Sequence, residues 1–538
     1  MKKLPIGIQT FSKIREDNYC YVDKTPLIES LLHSGSYFFL SRPRRFGKSL
    51  FLDTLKEAFS GNQELFKGLY LKDHWDWNVV HPVIKIDFGG GFYKDPKRLE
   101  TSIREIFREL IDKEALIIEN ETISGIFREL IVELEKKYSK RVVILIDEYD
   151  KPILDNITDS LIAKQMRDGL RDLYSVIKTS DAHIKFVFIT GVSKFSKINL
   201  FSGLNNIEDI TLNKKYATIC GYTESELSVF QDYLVDVNRD ELKLWYNGYN
   251  FLGDKVYNPF DILLYLRNKD FSNYWFETGN PTFLIDLIYK NKYNLIDIEF
   301  IQVTEEEMGS FDVDNIRLEV LLFQTGYLTI LEKTKVAAKN IYTLTYPNRE
   351  VKSSLNSVVL TSLSDHLNSS KIVTKLYKIL LSSSLDELKP LFQSFFASIP
   401  HDWYRKNQLA GYEAYYASIF YTYFASLGLD VRPEEVTNHG QVDMVVFLEN
   451  KVFVFEFKVV ELTEKGSALE QIKEKKYYEK YLNPSVEDRH SYHQQMGDPQ
   501  QMGGREIYLI GVEFSKEERN ITNFEWDSLI DLQKKADD

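Results

Sequence analysis

Ser41-Arg-Pro-Arg-Arg-Phe-Gly-Lys-Ser49 follows an apolar run, Tyr37-Phe-Phe-Leu40, and precedes a helix-like segment, residues 50–59. A strand, a loop ending in Gly-Lys-Ser and a helix form the setting of a phosphate-binding loop. In such a loop backbone N–H groups and the helix N-terminus face a phosphate chain, a lysine reaches the terminal phosphates, and a serine hydroxyl ligates Mg2+. Lys48 and Ser49 fit the last two roles, and Arg44, Arg45, Phe46, Gly47 and Leu50 complete the cradle. The usual spacing asks for glycine five residues before Gly47, but Arg42 stands there. The match is partial, so the strands behind the loop must supply the complementary carboxylates.

Arg141-Val-Val-Ile-Leu-Ile-Asp-Glu148 is an apolar strand ending in two acids. Asp147 is expected to hold the water shell of a nucleotide-bound metal, and Glu148 to orient or deprotonate the attacking water. A further buried strand, residues 184–192, brings Thr190 and Ser193 to its polar end. In ATPases with an extra strand between the phosphate loop and the Asp-Glu strand, a polar residue here senses the γ-phosphate. A shorter strand, residues 82–88, leads into Gly89-Gly-Gly91, and helical patterns cover 98–111, 121–138 and 160–179. Four βα units in this order predict a doubly wound, mostly parallel sheet with nucleotide at the carboxyl ends of its strands. Each signal alone has a plain structural reading, since Gly-Lys-Ser is common and any core strand can meet solvent at an Asp-Glu pair; their order argues for nucleotide. Arg44 and Arg45 remain open to three roles: phosphate contact, partner surface or solvated pair.

At 538 residues the chain exceeds one core, and about 150 residues per domain suggests three or four units. A net charge of −13 argues against a nucleic-acid coat over the whole protein but permits a local basic channel. Cys20 and Cys220 are the only cysteines, which excludes a disulfide framework and a cysteine-rich zinc site and suits a reducing cytoplasm. Met1-Lys-Lys-Leu-Pro-Ile-Gly7 lacks an apolar core of signal-peptide length, and no run reaches the roughly 18 apolar residues of a membrane span. The uncharged stretch between Glu413 and Asp430 reads as a buried helix.

Leu4-Pro-Ile-Gly-Ile-Gln-Thr-Phe11, Tyr21-Val-Asp-Lys-Thr25, Arg42-Pro-Arg-Arg-Phe-Gly-Lys-Ser49 and Ile146-Asp-Glu-Tyr-Asp-Lys-Pro152 resemble the AAA-ATPase-like family of bacterial proteins, typically fused to a C-terminal PD-(D/E)xK nuclease-superfamily domain. The resemblance covers most of the chain. It implies that Arg42 belongs to the family's version of the loop, and that a small helical or winged-helix-like lid follows the ATPase core. The turn-rich aromatic patches at 245–251 and 256–262 fit interdomain packing better than base stacking. Residues 275–398 read as mainly helical, with a β-like interruption at 340–346, and hold no catalytic constellation.

Near Gly411 the pattern changes. A helix (412–427), strands at 430–437, 442–448 and 452–459, a helix (468–481) and a strand (506–512) give the αβββαβ order of the PD-(D/E)xK core. Asp443, Glu456 and Lys458 carry its chemistry. Strand alternation puts Glu456 and Lys458 on one face. Two acidic groups with one or two divalent ions activate water on a phosphodiester, while the lysine positions the nucleophile or stabilises developing charge. Glu413 resembles the superfamily's accessory acidic ligand, and Gln471 its polar partner to the site. The plain alternative is that these charges mark a solvent face. Lys473, Lys475, Lys476 and Lys480 read as a solvated helix face with Glu474 and Glu479 rather than a phosphate track, and His490 and His493 as part of a polar loop insertion, residues 484–504.

The expected fold is multidomain α/β: a P-loop NTPase with an AAA/ASCE-type parallel sheet (1–215), a helical or winged-helix-like lid and coupling region (216–395), and a restriction-endonuclease-like domain (396–538). The expected function is ATP binding and hydrolysis controlling a metal-dependent nuclease on the same chain. ATP and Mg2+ are the expected cofactors, with Mn2+ an alternative at the nuclease site. The expected partner is nucleic acid, DNA before RNA. A homo-oligomer is compatible with this, and defence against mobile DNA suits it. The competing expectation is a nucleotide-switched ATPase whose nuclease-like domain grips nucleic acid or protein without cutting.

Overall fold

Strands buried on both faces read as unbroken apolar runs, and β1 (Tyr37–Ser41) and β3 (Val142–Asp147) are buried along their whole length. With β2 (Val83–Asp87), β4 (Ile184–Gly191) and the short β5 (Glu208–Asp209) they form a five-stranded sheet in the order β2-β3-β4-β1-β5, parallel throughout. The computed structural model describes residues 1–194, 206–276, 298–309, 317–363, 369–398, 413–461, 467–482, 505–515 and 517–530. The extra strand β4 lies between β1 and β3, as expected. Register pairs Leu40 with Thr190 and Asp87 with Asp147, so the polar strand ends share one edge.

Helices α1 (Lys48–Phe59), α2 (Pro96–Glu114), α3 (Ile123–Tyr138) and α4 (Ser160–Thr179) join these strands. Asp95, Thr122 and Asp159 cap the last three through side-chain oxygens. Helix α1 differs: Gly47 precedes it at φ +96° without a side-chain cap, leaving the first-turn N–H groups for a ligand.

Two compact units divide the chain. The first comprises residues 1–237, 246–279 and 300–347. Beyond the parallel sheet it contains α5 (Pro259–Asn268), α6 (Leu318–Thr325) and an antiparallel sheet of β6 (Ile301–Thr304), β7 (Thr329–Val336) and β8 (Lys339–Thr345), ordered β6-β8-β7. Sequence patterning predicts only β8. Strand β7 escapes because it is exposed from Leu331 onward and so lacks apolar alternation.

The second unit comprises residues 238–245, 280–299 and 348–538. Its described elements include α7 (Arg349–Leu363), α8 (Glu413–Ser426), β9 (Asp430–Thr437), β10 (Gly440–Leu448), β11 (Lys451–Val459), α9 (Ser467–Lys475), β12 (Glu506–Ser515) and β13 (Asn520–Ser528). The sheet order is β13-β12-β11-β10-β9, with β11 and β12 parallel and the other pairs antiparallel. The expected αβββαβ core is present. Strand β13 is an addition whose mostly polar sequence, Asn-Ile-Thr-Asn-Phe-Glu-Trp-Asp-Ser, belongs to a half-exposed sheet edge. Helix α9 stops at Lys475, because Lys476 takes a left-handed φ of +49°. His490 and His493 lie outside the described residues. Among the described residues no helix is long and apolar enough to cross a membrane.

Candidate nucleotide and nuclease sites

The phosphate loop curls around its own lysine. Lys48 is buried and its ammonium donates to the carbonyls of Arg42 and Pro43, each at 2.9 Å. Burial lowers its pKa, opposed by the negative charges of Asp147, Glu148 and Asp150. Trp275 fixes the loop's far side, donating its indole N–H to the Arg44 carbonyl at 3.1 Å. The side chains of Arg44 and Arg45 are exposed, and the Arg45 guanidinium lies 5.1 Å from the ring centre of Phe260.

Arg42 does something different. It is fully buried, 3.8 Å from the ring centre of Phe251, and donates to the carbonyls of Ser41, Thr211, Tyr216 and Ala217. The residue replacing the usual glycine thus points back into the protein and ties the loop to residues 211–217. Burial pulls its pKa down to about 10. Phe46 also turns inward, its ring packed edge-on against Tyr249 and Phe251. Arg42→Ala is expected to lower the first thermal unfolding midpoint clearly, because buried carbonyls left without a donor cost about 1–3 kcal/mol each. Calorimetry showing no shift would contradict the anchoring role.

Opposite the loop, Thr190 donates its hydroxyl to Asp147 Oδ1 at 2.5 Å, and both residues are buried. Glu148, half-buried at φ +48°, follows. Its pKa is raised mainly by burial and further by Asp147, Asp150 and Asp87, against the pull of Lys48, a shift that suits a proton acceptor. Asp150 accepts from the backbone N–H (2.6 Å) and hydroxyl (2.5 Å) of Ser193, joining the ends of β3 and β4.

The loop and Glu148 line a cavity of about 380 Å³. Lys48, Ser49 and Leu50 line it together with Pro5, Ile8, Tyr21, Tyr222, Phe260 and Leu263. Asp53 of α1 accepts the Phe11 N–H at 2.9 Å, and Lys24 donates to Glu226 at 2.6 Å and to the Thr218 carbonyl at 2.7 Å. The N-terminal motifs thereby hold the cavity's walls in place. Polar groups at a helix N-terminus with apolar residues in the same lining fit a nucleoside triphosphate.

In the second unit, β11 sorts its side chains by alternation. Phe455 and Phe457 pack against Phe420 of α8, while Val452 and Val454 join Leu469 and Ile472 of α9 in the other core. Glu456 and Lys458 continue the second face. They do not face open solvent: Glu456 is 1% exposed and the Lys458 side chain 14%. Lys458 donates to Glu456 Oε1 at 2.8 Å, and Gln471 of α9 donates to the same oxygen. Asp443 falls between the paired residues of the β9–β10 ladder and just beyond those of β10–β11, and its carboxylate accepts the Phe457 N–H at 2.7 Å. Its charge acts on the Glu456 carboxyl.

The Glu456 carboxyl is pushed up to about 7, first by burial and then by the charge of Asp443, against the pull of Lys458. Its Oε2 is buried without a hydrogen-bond partner. An orphaned carboxylate oxygen beside a second carboxylate fits a hard divalent cation. Among the described residues no group of three acidic, His or Cys side chains surrounds a point, so two carboxylates are the described protein donors. A proton and a divalent cation placed there would compete for Glu456. Mn2+ affinity at this site, measured by calorimetry without nucleotide, is therefore expected to fall by up to about tenfold per pH unit below pH 7. Affinity independent of pH between 5.5 and 8 would contradict this.

Comparison with known proteins agrees with both halves. A family model described as "Predicted AAA-ATPase" matches residues 5–201, and one described as "PD-(D/E)XK nuclease superfamily" matches residues 411–524. A protein of Azotobacter chroococcum mcd 1, described as "Uncharacterized protein in vnfD 5'region", is 50% identical over 536 residues, 98% of this chain and 99% of its own. The chain belongs to the AAA-ATPase-like family. In this AAA-ATPase-like protein the C-terminal region is a PD-(D/E)XK nuclease-superfamily domain.

Lys48, Ser49, Asp147, Glu148 and Thr190 lie along the loop and the adjoining carboxyl edge of the AAA-ATPase-like sheet; Asp443, Glu456, Lys458 and Gln471 meet in the nuclease-superfamily domain. Glu413 opens α8, and its side chain lies outside the described residues. Lys473, Lys476 and Lys480 pair with Asp527, Glu479 and Glu435, as a solvated face would. Sequence reasoning missed Asp87, Asp150 and Lys24. Asp150 and Lys24 stood inside the quoted motifs, whereas Asp87 carried no signal beyond ending a strand.

Proposed function

We propose that this chain is a metal-dependent nuclease whose activity is governed by ATP bound to its own AAA-ATPase-like module. The observation that carries the nuclease half is the burial of Glu456 with Lys458, Gln471 and Asp443 directed at it. Burying a carboxylate is costly unless it is paired, and a site that binds cations through it justifies that cost. Asp443 and Glu456 would hold the metal, and its chemistry when bound would be to activate a water and neutralise charge on the phosphodiester. Lys458, fixed by Glu456, holds the nucleophile or the developing negative charge. Gln471 keeps the Glu456 carboxylate in place, and Glu413 remains the candidate for an accessory acidic ligand.

In the ATP module, Lys48 would exchange its loop carbonyls for the terminal phosphates, Ser49 and Asp147 would hold the Mg2+ of the nucleotide, and Glu148 would accept a proton from water. Thr190, bonded to Asp147, relays the state of that edge into β4. Arg44 and Arg45, exposed beside the cavity, remain available to phosphate or to a neighbouring subunit. The functional divisions proposed are residues 1–215, 216–395 and 396–538, and they differ from the two compact units. The preferred substrate is DNA, the compartment is the cytoplasm, and defence against mobile DNA is the role that suits a nuclease held under nucleotide control.

The test is incubation of the full chain with Mg2+ or Mn2+ and duplex DNA, single-stranded DNA or RNA. Metal-dependent cleavage of DNA is expected, lost in Asp443→Ala and Lys458→Ala. Unchanged cleavage in those variants would remove the assigned site. Binding without cleavage of any substrate would select the second reading, a nucleotide-switched binder.

A further inference from the structure

Neither site uses the ribbon formed by β7 and β8. Every residue from 331 to 339 is exposed, and β7 is buried only at Thr329 and Ile330. The ribbon turns at Ala337 and Ala338, with Ala337 at φ +52°. Its outer part carries Lys333, Lys335 and Lys339 and one acid of its own, Glu332, and the exposed Glu305 accepts from Asn340. Register places Lys333 opposite Tyr342 and Lys335 opposite Asn340, so these two lysines share a face. Lys333 stands 5.3 Å from the Tyr342 ring centre. Glu332 lies opposite Thr343 on the other face and accepts its hydroxyl at 3.4 Å. Exposed Leu331 and Val336 accompany the lysines.

Lysines on an edge strand can simply discourage edge-to-edge association. That reading accounts for charge along β7, but not for a third lysine across the turn or for a basic projection on a chain of net charge −13. A two-stranded ribbon fits the major groove of duplex DNA, and lysines near its tip then reach phosphates on either side. We propose that the β7–β8 ribbon is a duplex-binding element, with Lys333, Lys335 and Lys339 contacting the phosphate backbone. It rests on the nucleic-acid half of the reading above and does not require cleavage.

The test is fluorescence anisotropy of the full chain with a labelled duplex at several salt concentrations in metal-free buffer, comparing wild type with a K333E/K335E/K339E variant. The three side chains are exposed, so circular dichroism and unfolding should match wild type. The variant is expected to bind at least about tenfold more weakly, with a salt slope shallower by about 2 to 3. Equal affinity and slope, or a wild type that binds no duplex, overturns the proposal; preference for single strands over duplex does so as well. Asp443→Ala, run in parallel for binding and cleavage, separates the two readings. If it keeps ribbon-dependent binding and still cuts, the nuclease assignment falls while the ribbon stands.

Discussion

Glu456→Gln is expected to abolish metal-dependent cleavage, by roughly 10³-fold or more, while leaving the protein at least as stable as wild type. Most losses of a buried charged group weaken a fold, so this pairing of effects is diagnostic. The amide keeps an oxygen to accept from Lys458 and Gln471, as Glu456 Oε1 does, and fills the same space beneath α9. It cannot supply the second anionic oxygen. The sign of the stability effect follows from the carboxyl's pKa, raised to about 7 from 4.5. A raised carboxylate pKa means that the ionised form is disfavoured by folding. The cost is absent below pH 4.5, grows between the two values and is complete above pH 7. At pH 8 without metal, the neutral amide removes up to about 3 kcal/mol of that cost. Thermal unfolding at pH 8 should therefore show an equal or higher midpoint for Glu456→Gln. A clearly lower midpoint, or cleavage close to wild type, would mean that Glu456 is a structural charge.

Lys48→Ala is expected to weaken ATP binding by about 100-fold or more, the loss of a charge-assisted contact worth about 3 kcal/mol. Two effects combine. The ammonium that would meet the terminal phosphates disappears, and Asp147, Glu148 and Asp150, whose charges oppose the lowering of its pKa, lose their shared counter-charge. A negatively charged nucleotide then approaches an edge with excess negative charge. Glu148→Gln provides the contrast: ATP binding should hold and hydrolysis should fall, because that side chain acts on water rather than on phosphate. Calorimetry with a non-hydrolysable analogue and a phosphate-release assay separate the two. Equal affinity in Lys48→Ala would remove the loop from the binding site.

What was legible in the sequence were side chains whose chemistry admits few substitutes in a fixed local setting. Lys48 and Ser49 follow a strand and open a helix, Asp147 and Glu148 end an apolar strand, and Glu456 and Lys458 alternate within one. The burial that separates a catalytic Glu456 from a solvent-facing one was not legible, because the pattern of β11 alone does not say that α9, the next helix, folds back over that face. Arg42 was open to misreading for a related reason. Its neighbours suggest phosphate contact, and only the approach of Thr211, Tyr216, Ala217 and Phe251 reveals an inward anchor. Strands β7 and β13 were missed because exposed or edge strands need no apolar alternation. Lys24 and Glu226, 202 residues apart, meet only through the fold.

The central claim is control of one site by the other, and cleavage rates in ATP, ADP and a non-hydrolysable ATP analogue test it most directly. With Mg2+ and duplex DNA, wild type should cleave at rates differing by roughly tenfold between the triphosphate and diphosphate states, a coupling of about 1.4 kcal/mol, and Lys48→Ala should cleave at one rate in all three. Metal-dependent cleavage of equal rate in every nucleotide, in wild type as in Lys48→Ala, would contradict the account.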